Sequence, residues 1–349
     1  MNPAIEVREL GCDDHPAWER MVANSPHGSI YATPTYLEVL CRATAGEFRI
    51  LAAIRDEQIL GGVPLYGEPS RLGTRVETRM LLYYNGFVLR AANGKHPSLR
   101  SALEVSPLAA LEQALGKLRL ARLSLKSRDA FHDARVFLDC GWQARPSYTY
   151  VVPLDDLGVL WDRMEQNLRR LVKRGERERL AFTDDDDFAS FYRMHIETHR
   201  RKGAPLYPHE SAFATWFHSL RSLGLCRLYH ARLPDGRSIA AQLVLLGLHP
   251  VSHTVAAAAN VDHLDLGANP FLRWRAFEDL ARRGAVANDL TDASINAVTH
   301  FKSQLGGDLR VNLVLSRPDP LGPRLARGAA RLARGTKSRL ACAIRGARQ

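Results

Sequence analysis

Four basic side chains recur at three- and four-residue spacing within one predicted helix. They are Arg170, Lys173, Arg174 and Arg177. Residues three and four apart share a helix face, so these charges could together hold the phosphate of a substrate. The alternative is a solvated face on which the same cations pair with Glu176 and Glu178. The spacing therefore predicts either substrate binding by Arg170, Lys173 and Arg174 or an ordinary charged surface.

Three further side chains could take part in chemistry. His195 and His199 stand four residues apart in His-Ile-Glu-Thr-His and share a helix face. Their order is not the H-E-x-x-H of a zinc site and no third ligand is evident, so we expect structural or acceptor-binding histidines and no metal. Asp289 begins a polar stretch after a predicted strand. It could orient a reacting amine, or it could be an ordinary loop carboxylate.

The composition is that of a folded protein with two domains. The chain has 349 residues, of which 46% are hydrophobic and 24% charged, and domains usually contain roughly 100 to 200 residues. Its five cysteines are scattered without a CxxC pair, which argues against a disulfide framework or a thiolate zinc site. The longest apolar stretch, residues 239–248, is too short to span a bilayer, and the first ten residues contain no signal-peptide core. These features indicate a cytoplasmic protein.

The positive charge is concentrated at the C-terminal end of the chain. The net charge is +11, and residues 317–349 supply +8 of it through nine Lys or Arg and one Asp. On a helical wheel of residues 324–348, an arginine face opposes a face of Leu, Ala and Ile. This pattern predicts a basic amphipathic tail that docks on the anionic inner face of a membrane. A solvated or disordered tail, or one that binds nucleic acid such as tRNA, is the alternative.

The elements that must position these side chains occur twice in the same order. Each copy is predicted to contain a β-hairpin, a further strand, a helix and a short strand. In the first copy these are residues 48–54, 59–66, 80–89, 107–118 and 122–125. In the second copy they are residues 227–233, 239–248, 253–259, 270–282 and 286–290. The repetition predicts two copies of one mixed α/β fold.

The region between the two copies is predicted to be helical. A long amphipathic helix is expected over residues 155–179, followed by helices over 186–201 and 208–223. We place the domain boundary near residue 150. The resulting organisation is an N-terminal domain of residues 1–150, a C-terminal domain of residues 151–316 and the basic tail of residues 317–349.

Four sequence blocks in the second copy resemble those of FemAB/FemX-like and CelD-like GNAT acyltransferases. They are LRRLVKRGERERL at 168–180, FYRMHIETHRRKGAPLYP at 191–208, DGRSIAAQLVL at 235–245 and HFKSQLGGDL at 300–309. The resemblance covers residues 153–315 well, whereas residues 5–150 share only the order of elements. It implies two tandem GNAT-like acyl-CoA N-acyltransferase domains.

The resemblance also implies roles for particular residues. Lys302, in the Phe-Lys pair of the last block, is expected to face the cleft, where a fixed ammonium can neutralise a phosphate or a developing oxyanion. Apart from the resemblance, the residues themselves make Asp289 the second expected catalytic residue, and His300 and His195 are expected to contact substrate. A loop that opens the last long helix, containing Gly267, Ala268 and Asn269, is expected to hold the phosphates of the acyl donor. This loop departs from the usual GNAT pattern at Leu264 and Asn269.

The function implied is N-acyl transfer. We expect an acyl group, such as acetyl, to pass from acyl-CoA to an amine of a cell-envelope, polysaccharide or metabolite precursor, which could be lipid-linked. A FemAB-like transferase that uses aminoacyl-tRNA is the first alternative, and a non-catalytic binding protein that kept the fold is the second. Residues 36–40 lack the lysine that peptidyltransferases of this family often have there, which argues against a nucleotide-linked peptidoglycan precursor.

Overall fold

One mixed β-sheet runs through both halves of the chain in the computed structural model, which describes residues 4–203 and 208–318. Its strands are β1 (Glu6–Glu9), β2 (Glu47–Arg55), β3 (Gln58–Glu68), β4 (Arg75–Val76), β5 (Val88–Leu89), β6 (Arg122–Lys126), β7 (Gln143–Pro153), β8 (Ala181–Asp184), β9 (Cys226–Arg232), β10 (Ser238–Leu245), β11 (Val251–Ala259), β12 (Ala287–Asp289) and β13 (Asp308–Ser316). The hydrogen-bonded order is β1-β2-β3-β4-β6-β13-β7-β12-β11-β10-β9-β8, and β5 pairs with β3.

Six of the ten described helices begin with a side chain that caps the first turn or with a proline, whose missing N–H needs no partner there. They are α1 (His15–Asn24), α2 (Pro34–Ala43), α3 (Pro97–Gly116), α4 (Arg135–Asp139), α5 (Leu157–Arg163), α6 (Gln166–Arg177), α7 (Phe188–Lys202), α8 (Glu210–Ser222), α9 (Ala268–Arg282) and α10 (Ala297–Ser303). The side chains of Asp156, Asp187 and Asn296 accept hydrogen bonds from backbone N–H groups at the starts of α5, α7 and α10. Such caps satisfy N–H groups that have no partner within the helix.

Both predicted hairpins are confirmed, and each forms the middle of one half of the sheet. Strand β2 pairs antiparallel with β3, and β9 pairs antiparallel with β10. Gly62 of β3 lies at a close approach, since a Cβ there would stand 2.5 Å from the carbonyl oxygen of Leu51. Alternating apolar residues therefore located the hairpins correctly.

Three predicted elements are wrong in extent, and the first is the helix expected over 107–118, which begins ten residues earlier as α3. The other two differ because of contacts elsewhere in the fold. Residues 80–89 do not form one strand, since only Val88–Leu89 pairs with β3, and Leu81 has a φ of 70° that no strand contains. The predicted helix over 155–179 is two helices, because Met164 has an extended backbone (ψ 141°) and its side chain is buried. The next residue, Glu165, donates its N–H to the carbonyl oxygen of Gln304 at 3.0 Å. At both places, contacts with distant parts of the chain determine the backbone conformation in place of a regular strand or helix.

The last described strand joins the two halves of the chain. Strand β13 pairs antiparallel with β7 over its whole length and with β6 of the first half at Val314, Leu315 and Ser316. The largest apolar core also contains residues of both halves, with Tyr36 of α2 packed edge-to-face on Trp216 of α8. Because the halves share a sheet and a core, the cleft between them has a fixed shape.

Arg317, near the end of the described residues, contacts the first half of the chain. The guanidinium of Arg317 donates to the carbonyl oxygens of Leu115 at 2.8 Å and Leu118 at 3.2 Å, which satisfies acceptors at the end of α3. The basic tail that the sequence predicts at 324–348 lies outside the described residues. Within residues 4–203 and 208–318, no helix combines the length and the apolar character that a membrane crossing requires.

The contact between α6 and α9 requires a glycine. A Cβ on Gly175 would stand 2.8 Å from the Cβ of Phe271. We therefore expect Gly175→Ala to lower the free energy of unfolding by about 1–3 kcal/mol, measured by urea denaturation. Gly116, at the end of α3, has no atom within 4 Å of such a Cβ, so Gly116→Ala is the matched control, with no loss or a gain of up to about 1 kcal/mol. Equal effects of the two substitutions would contradict this packing.

Candidate active site

A gap in the sheet forms the candidate site. The parallel strands β11 and β12 pair only where Val251, Ser252 and His253 face residues 287–289. Beyond that point β12 has ended, whereas β11 continues to Ala259 with its other edge bonded to β10. Along residues 254–257 no described strand pairs with the edge of β11 that faces β12, although the hydroxyls of Thr291 and Tyr83 donate to the carbonyl oxygens of Thr254 and Val255. We call this stretch the free edge, and it lines a cavity of about 270 Å³, the splay cavity. An open strand edge presents backbone groups to an extended substrate.

Lys302 is fixed at the wall of the splay cavity. Its Nζ donates to the carbonyl oxygen of Asp292 at 2.7 Å and also to that of Thr291. Thr291 and Asp292 both have a left-handed backbone, with φ values of 46° and 50°. A β-branched residue rarely adopts this conformation, and such strain is held only where surrounding contacts determine it. This loop conformation points the carbonyl oxygens of Thr291 and Asp292 at the ammonium of Lys302.

The charge of Lys302 is sensitive to pH near neutrality. Burial lowers its pKa to about 8, and the nearby charge of Arg273 acts in the same direction, whereas Asp292 and Asp289 oppose it. Below about pH 8 the group is therefore an ammonium, with two N–H groups already on carbonyl oxygens and the third left for a ligand. A desolvated ammonium of this kind stabilises negative charge that develops on a substrate oxygen.

Asp289 is the last residue of β12, and its carboxylate accepts hydrogen bonds from residues around the site. Its Oδ1 accepts from the hydroxyl of Thr149 at 2.5 Å and from the N–H of Thr291 at 2.8 Å, and its Oδ2 accepts from the hydroxyl of Tyr84 at 2.7 Å. The Nδ1 of His253 lies 3.6 Å from Oδ2. Burial alone would raise the pKa of Asp289, but His253 and the two hydroxyl donors outweigh it and hold the pKa well below its usual range. The carboxylate is only 1% exposed, so it holds the loop and does not face the cavity.

Two histidines also line the splay cavity. His195 and His199 of α7 both line it, and their ring centroids are 4.2 Å apart. Burial lowers the pKa of His195 to about 4, and the charge of His199 acts in the same direction. His195 is therefore a neutral imidazole at neutral pH, which is the form that can accept a proton.

The first half of the chain supplies side chains that sequence reasoning missed. Tyr84 reaches Asp289 across 205 positions of sequence, and Tyr83 donates to the carbonyl oxygen of Val255 on the free edge of β11 at 3.0 Å. Lys126, at the end of β6, is buried with its Nζ 5.3 Å from the centre of the Tyr84 ring. In the sequence these side chains stand out only as polar residues at the end of an apolar stretch, and many surface strands share that feature.

A second cavity opens from the splay cavity. It has a volume of about 510 Å³ and shares Met80, Tyr83 and Asp292 with the first. We call it the cationic groove because four basic residues of the first half line it. They are Arg79, Arg122, Lys126 and Arg145. Since they share lining residues, the two cavities adjoin. The cationic groove also contains the carboxylates of Glu77 and Asp292, and two of its arginines form ion pairs, Arg122 with Glu77 at 3.0 Å and Arg79 with Glu68.

The other predicted site residues lie elsewhere. Arg170 and Lys173 are exposed on α6, and Arg174 lies 3.5 Å from the carboxylate of Asp265. His300 is exposed on α10 with its Nε2 3.4 Å from Nε2 of Gln304. None of these four is among the described residues that line the splay cavity or the cationic groove.

The loop expected to hold donor phosphates is covered by α6. Gly267 caps α9 with a φ of 76°, and a Cβ there would stand 2.3 Å from the carbonyl oxygen of Leu171. Gly267 and Ala268 are buried, Asn269 is half-buried, and Pro270 has no N–H. The amides at this helix start therefore do not form an open cradle, and the residues do not fit the pyrophosphate of CoA in the usual GNAT manner. Within the described ranges, no group of three metal-ligating side chains is present either.

The buried histidines make stability sensitive to acid. Burial lowers the pKa of His27 and His195 to about 4 and that of His249 to about 3. Below pH 6.5 these groups take up protons in the unfolded chain but not in the folded one, so stability falls as the pH drops from 6.5 to 4. Each group contributes on the order of 3 kcal/mol to this loss. Urea midpoints measured at pH 7, 6 and 5 should decrease steadily, and a constant midpoint would contradict the burial of neutral imidazoles.

Comparison with known proteins identifies the domain that carries the site. Residues 162–302 match the family model of the acetyltransferase (GNAT) domain, which confirms the resemblance that the sequence blocks suggested. No curated protein matches the sequence significantly. Residues 162–302 include α7 to α9, β9 to β12 and all but the last residue of α10, and they supply most of the residues that line the splay cavity.

Solved structures extend the likeness to both halves. FemX matches with a TM-score of 0.68 and 14% identity over 89% of this chain and 96% of FemX. L-PGS from Bacillus licheniformis matches with a TM-score of 0.50 and 13% identity over 86% of this chain and 97% of that one. A tandem GNAT protein from the clavulanic acid biosynthesis pathway matches with a TM-score of 0.51 and 12% identity over 90% and 98%. Residues 162–302 thus match the model of the GNAT acetyltransferase domain, and about nine-tenths of the chain shares its fold with FemX and with the tandem GNAT protein.

Proposed function

We propose that this protein is an N-acyltransferase that transfers an acyl group to an amine in the splay cavity. One observation carries the proposal: the free edge of β11 and the fixed ammonium of Lys302 line the same cavity in a domain of the GNAT family. A substrate acyl group laid along the strand edge would present its carbonyl oxygen to the remaining N–H of Lys302.

The reaction proposed is attack of the amine nitrogen on the acyl carbonyl carbon. The carbonyl oxygen becomes an oxyanion, which the Lys302 ammonium stabilises, and the intermediate then expels the carrier as its thiolate or alkoxide. The amine must lose a proton when the amide forms. His195 is neutral at neutral pH and lines the cavity, so it is the proposed acceptor of that proton.

Asp289 has a positioning role in this proposal. The carboxylate lies behind the cavity and accepts from the backbone N–H of Thr291, whose own carbonyl oxygen accepts from Lys302. It also binds Tyr84 of the first half. Asp289 therefore fixes the loop that holds the ammonium, instead of touching the amine itself.

The acceptor is proposed to enter through the cationic groove. Its four basic side chains suit an amine that carries phosphate or carboxylate groups, as many cell-envelope, polysaccharide and other metabolite precursors do. A lipid-linked precursor would bring the enzyme to the inner face of a membrane, with the rest of the protein in the cytoplasm. Membrane docking by residues 324–348 remains a prediction, since these residues lie outside the described part of the chain.

The donor is proposed to be an acyl-CoA because residues 162–302 match an acetyltransferase domain, although its pyrophosphate would have to bind away from the start of α9. One observation favours aminoacyl-tRNA as the second candidate. Helix α6 covers the start of α9, where GNAT proteins usually bind the pyrophosphate of CoA, and it exposes Arg170, Lys173 and Arg177. An exposed basic helix suits an extended phosphate backbone better than one pyrophosphate group. Arg170, Lys173 and Arg174 therefore keep a proposed role in holding the anionic carrier outside the cavity.

The deciding experiment is a transfer assay with both donor types. Purified protein is incubated with acetyl-CoA and longer acyl-CoA thioesters, or with a mixture of charged tRNAs, in the presence of a panel of amines. Thiol release or loss of charged tRNA that depends on the amine, together with the mass of the amide product, would support the proposal and identify the donor. Binding of an amine without turnover by any donor would instead favour the non-catalytic alternative.

A further inference from the structure

Arg273 is a buried cation, and no ion pair among the described residues accounts for its burial. It lies in the middle of α9, is 8% exposed and lines the splay cavity. Its Nη1 has no hydrogen-bond partner within residues 4–203 and 208–318. Burial alone lowers its pKa to about 10, with no acidic side chain acting against it. An unpaired buried charge costs stability, so a structural role does not account for this arginine.

The free donors in the splay cavity match a carboxylate. Arg273 lines the cavity with a guanidinium whose Nη1 has no hydrogen-bond partner among the described residues, and Lys302 offers the one N–H that the carbonyl oxygens of Thr291 and Asp292 leave free. A guanidinium and an ammonium can together hold the two oxygens of a carboxylate. Asp292 also lines the cavity, and its negative charge disfavours a phosphate dianion more than a carboxylate. The charges around the cavity therefore favour a carboxylate over a phosphate.

We propose that the splay cavity binds a substrate carboxylate between Arg273 and Lys302, so that the enzyme handles substrates that carry a free carboxyl group near the transferred carbonyl. The remaining wall suits the short carbon chain of such a molecule, since Val255, Ala256 and Ala257 of β11 line it. The carboxylate could belong to the acyl group, as in a dicarboxylic monothioester, or to an amino-acid acceptor. The choice between these two sources rests on the proposed acyl transfer, whereas carboxylate binding itself does not.

The first test measures binding without turnover. Glutarate is compared with glutaramide, which has the same shape without charge, at constant ionic strength by thermal shift and by calorimetry. Glutarate should raise the melting temperature and glutaramide should not. In Arg273→Met the affinity for glutarate should fall at least about tenfold. The control Arg275→Met changes a half-buried arginine of the same helix that pairs with Glu278 at 2.9 Å, and it should bind glutarate normally.

The stability of the same variant separates a ligand site from a structural arginine. Without ligand, Arg273→Met should melt a few degrees higher than the wild type, because the substitution removes an uncompensated buried charge at similar volume. A lower melting temperature would show that Arg273 stabilises the fold and would overturn the proposal. Equal binding of glutarate by the wild type and Arg273→Met would also overturn it.

The second test identifies the source of the carboxylate. Glutaryl-CoA is compared with valeryl-CoA as donor, and glutamate is compared with its α-amide as acceptor. A preference for the charged compound of at least about tenfold in one pair, lost in Arg273→Met, assigns the carboxylate to that substrate. Glutarate binding that depends on Arg273 in a protein with no transfer activity would support this site while refuting the proposed function. Transfer activity without a preference for the charged compound and without glutarate binding would support the proposed function and refute this site.

Discussion

Replacing Lys302 by alanine is expected to lower kcat/KM for acyl transfer by at least about 10²-fold, the scale of losing one preorganised group that stabilises an oxyanion. The reason is geometric. The ammonium is held by the carbonyl oxygens of Thr291 and Asp292 and has one N–H left for the reacting oxygen. Steady-state kinetics at pH 7 measures the effect. Lys117→Ala, at an exposed lysine after α3, is the control and should leave the rate unchanged.

The wild-type pH profile is an independent check on the same group. Burial lowers the pKa of Lys302 to about 8, so the ammonium is present below that pH and is lost as the pH rises through it. Activity should therefore decline on the alkaline side near pH 8. A correctly folded Lys302→Ala variant with a normal rate would contradict the role of Lys302, as would a profile that stays flat to pH 10.

Substitution of Asp289 is expected to have the largest effect on stability. Asp289→Ala leaves the hydroxyls of Thr149 and Tyr84 and the N–H of Thr291 without their acceptor in a buried place. We expect the free energy of unfolding to fall by about 3–5 kcal/mol, the usual cost of breaking a buried charged network. Asp235→Ala removes an exposed carboxylate that pairs with Arg237 at 2.8 Å, and it should cost less than about 1 kcal/mol. Urea denaturation of both variants measures the difference.

Asp289→Asn tests the positioning role separately from stability. The amide keeps the shape of the side chain but removes the negative charge, which raises the pKa of Lys302 in the wild type. The alkaline limb of the activity profile should therefore move to lower pH in this variant. If Asp289 served the fold alone, the variant would lose stability and keep the wild-type pH profile.

The sequence by itself determined most of the local structure and the family. Alternating apolar residues located both hairpins, and helical spacing located α7, α8 and α9 to within a few residues. These patterns suffice because each element turns one apolar face toward a core, whatever its partner is. Four short blocks also identified the GNAT domain and singled out Lys302, which the structure places on the wall of a cavity. Residue type and block order carried that information without any contact being known.

The tertiary structure decided what surrounds Lys302. Tyr84 meets Asp289 across 205 positions, and β13 of the second half pairs with β6 of the first. The predicted strand over 80–89 was wrong for this reason: its tyrosines leave the sheet to bond with the other half. Such contacts depend on how two separate elements pack, and no local periodicity encodes the distance between them.

Burial also changed the roles that we assign to several charged side chains. On a helical wheel Arg273 looks like any polar residue of an amphipathic helix, and Arg170 and Lys173 look like a phosphate grip. In the structure Arg273 is 8% exposed within the cavity, whereas Arg170 and Lys173 lie on the outer surface of α6. The sequence determines which side chains are charged. Only packing determines how much water each charge keeps, and that hydration sets both its pKa and the ligand it can bind.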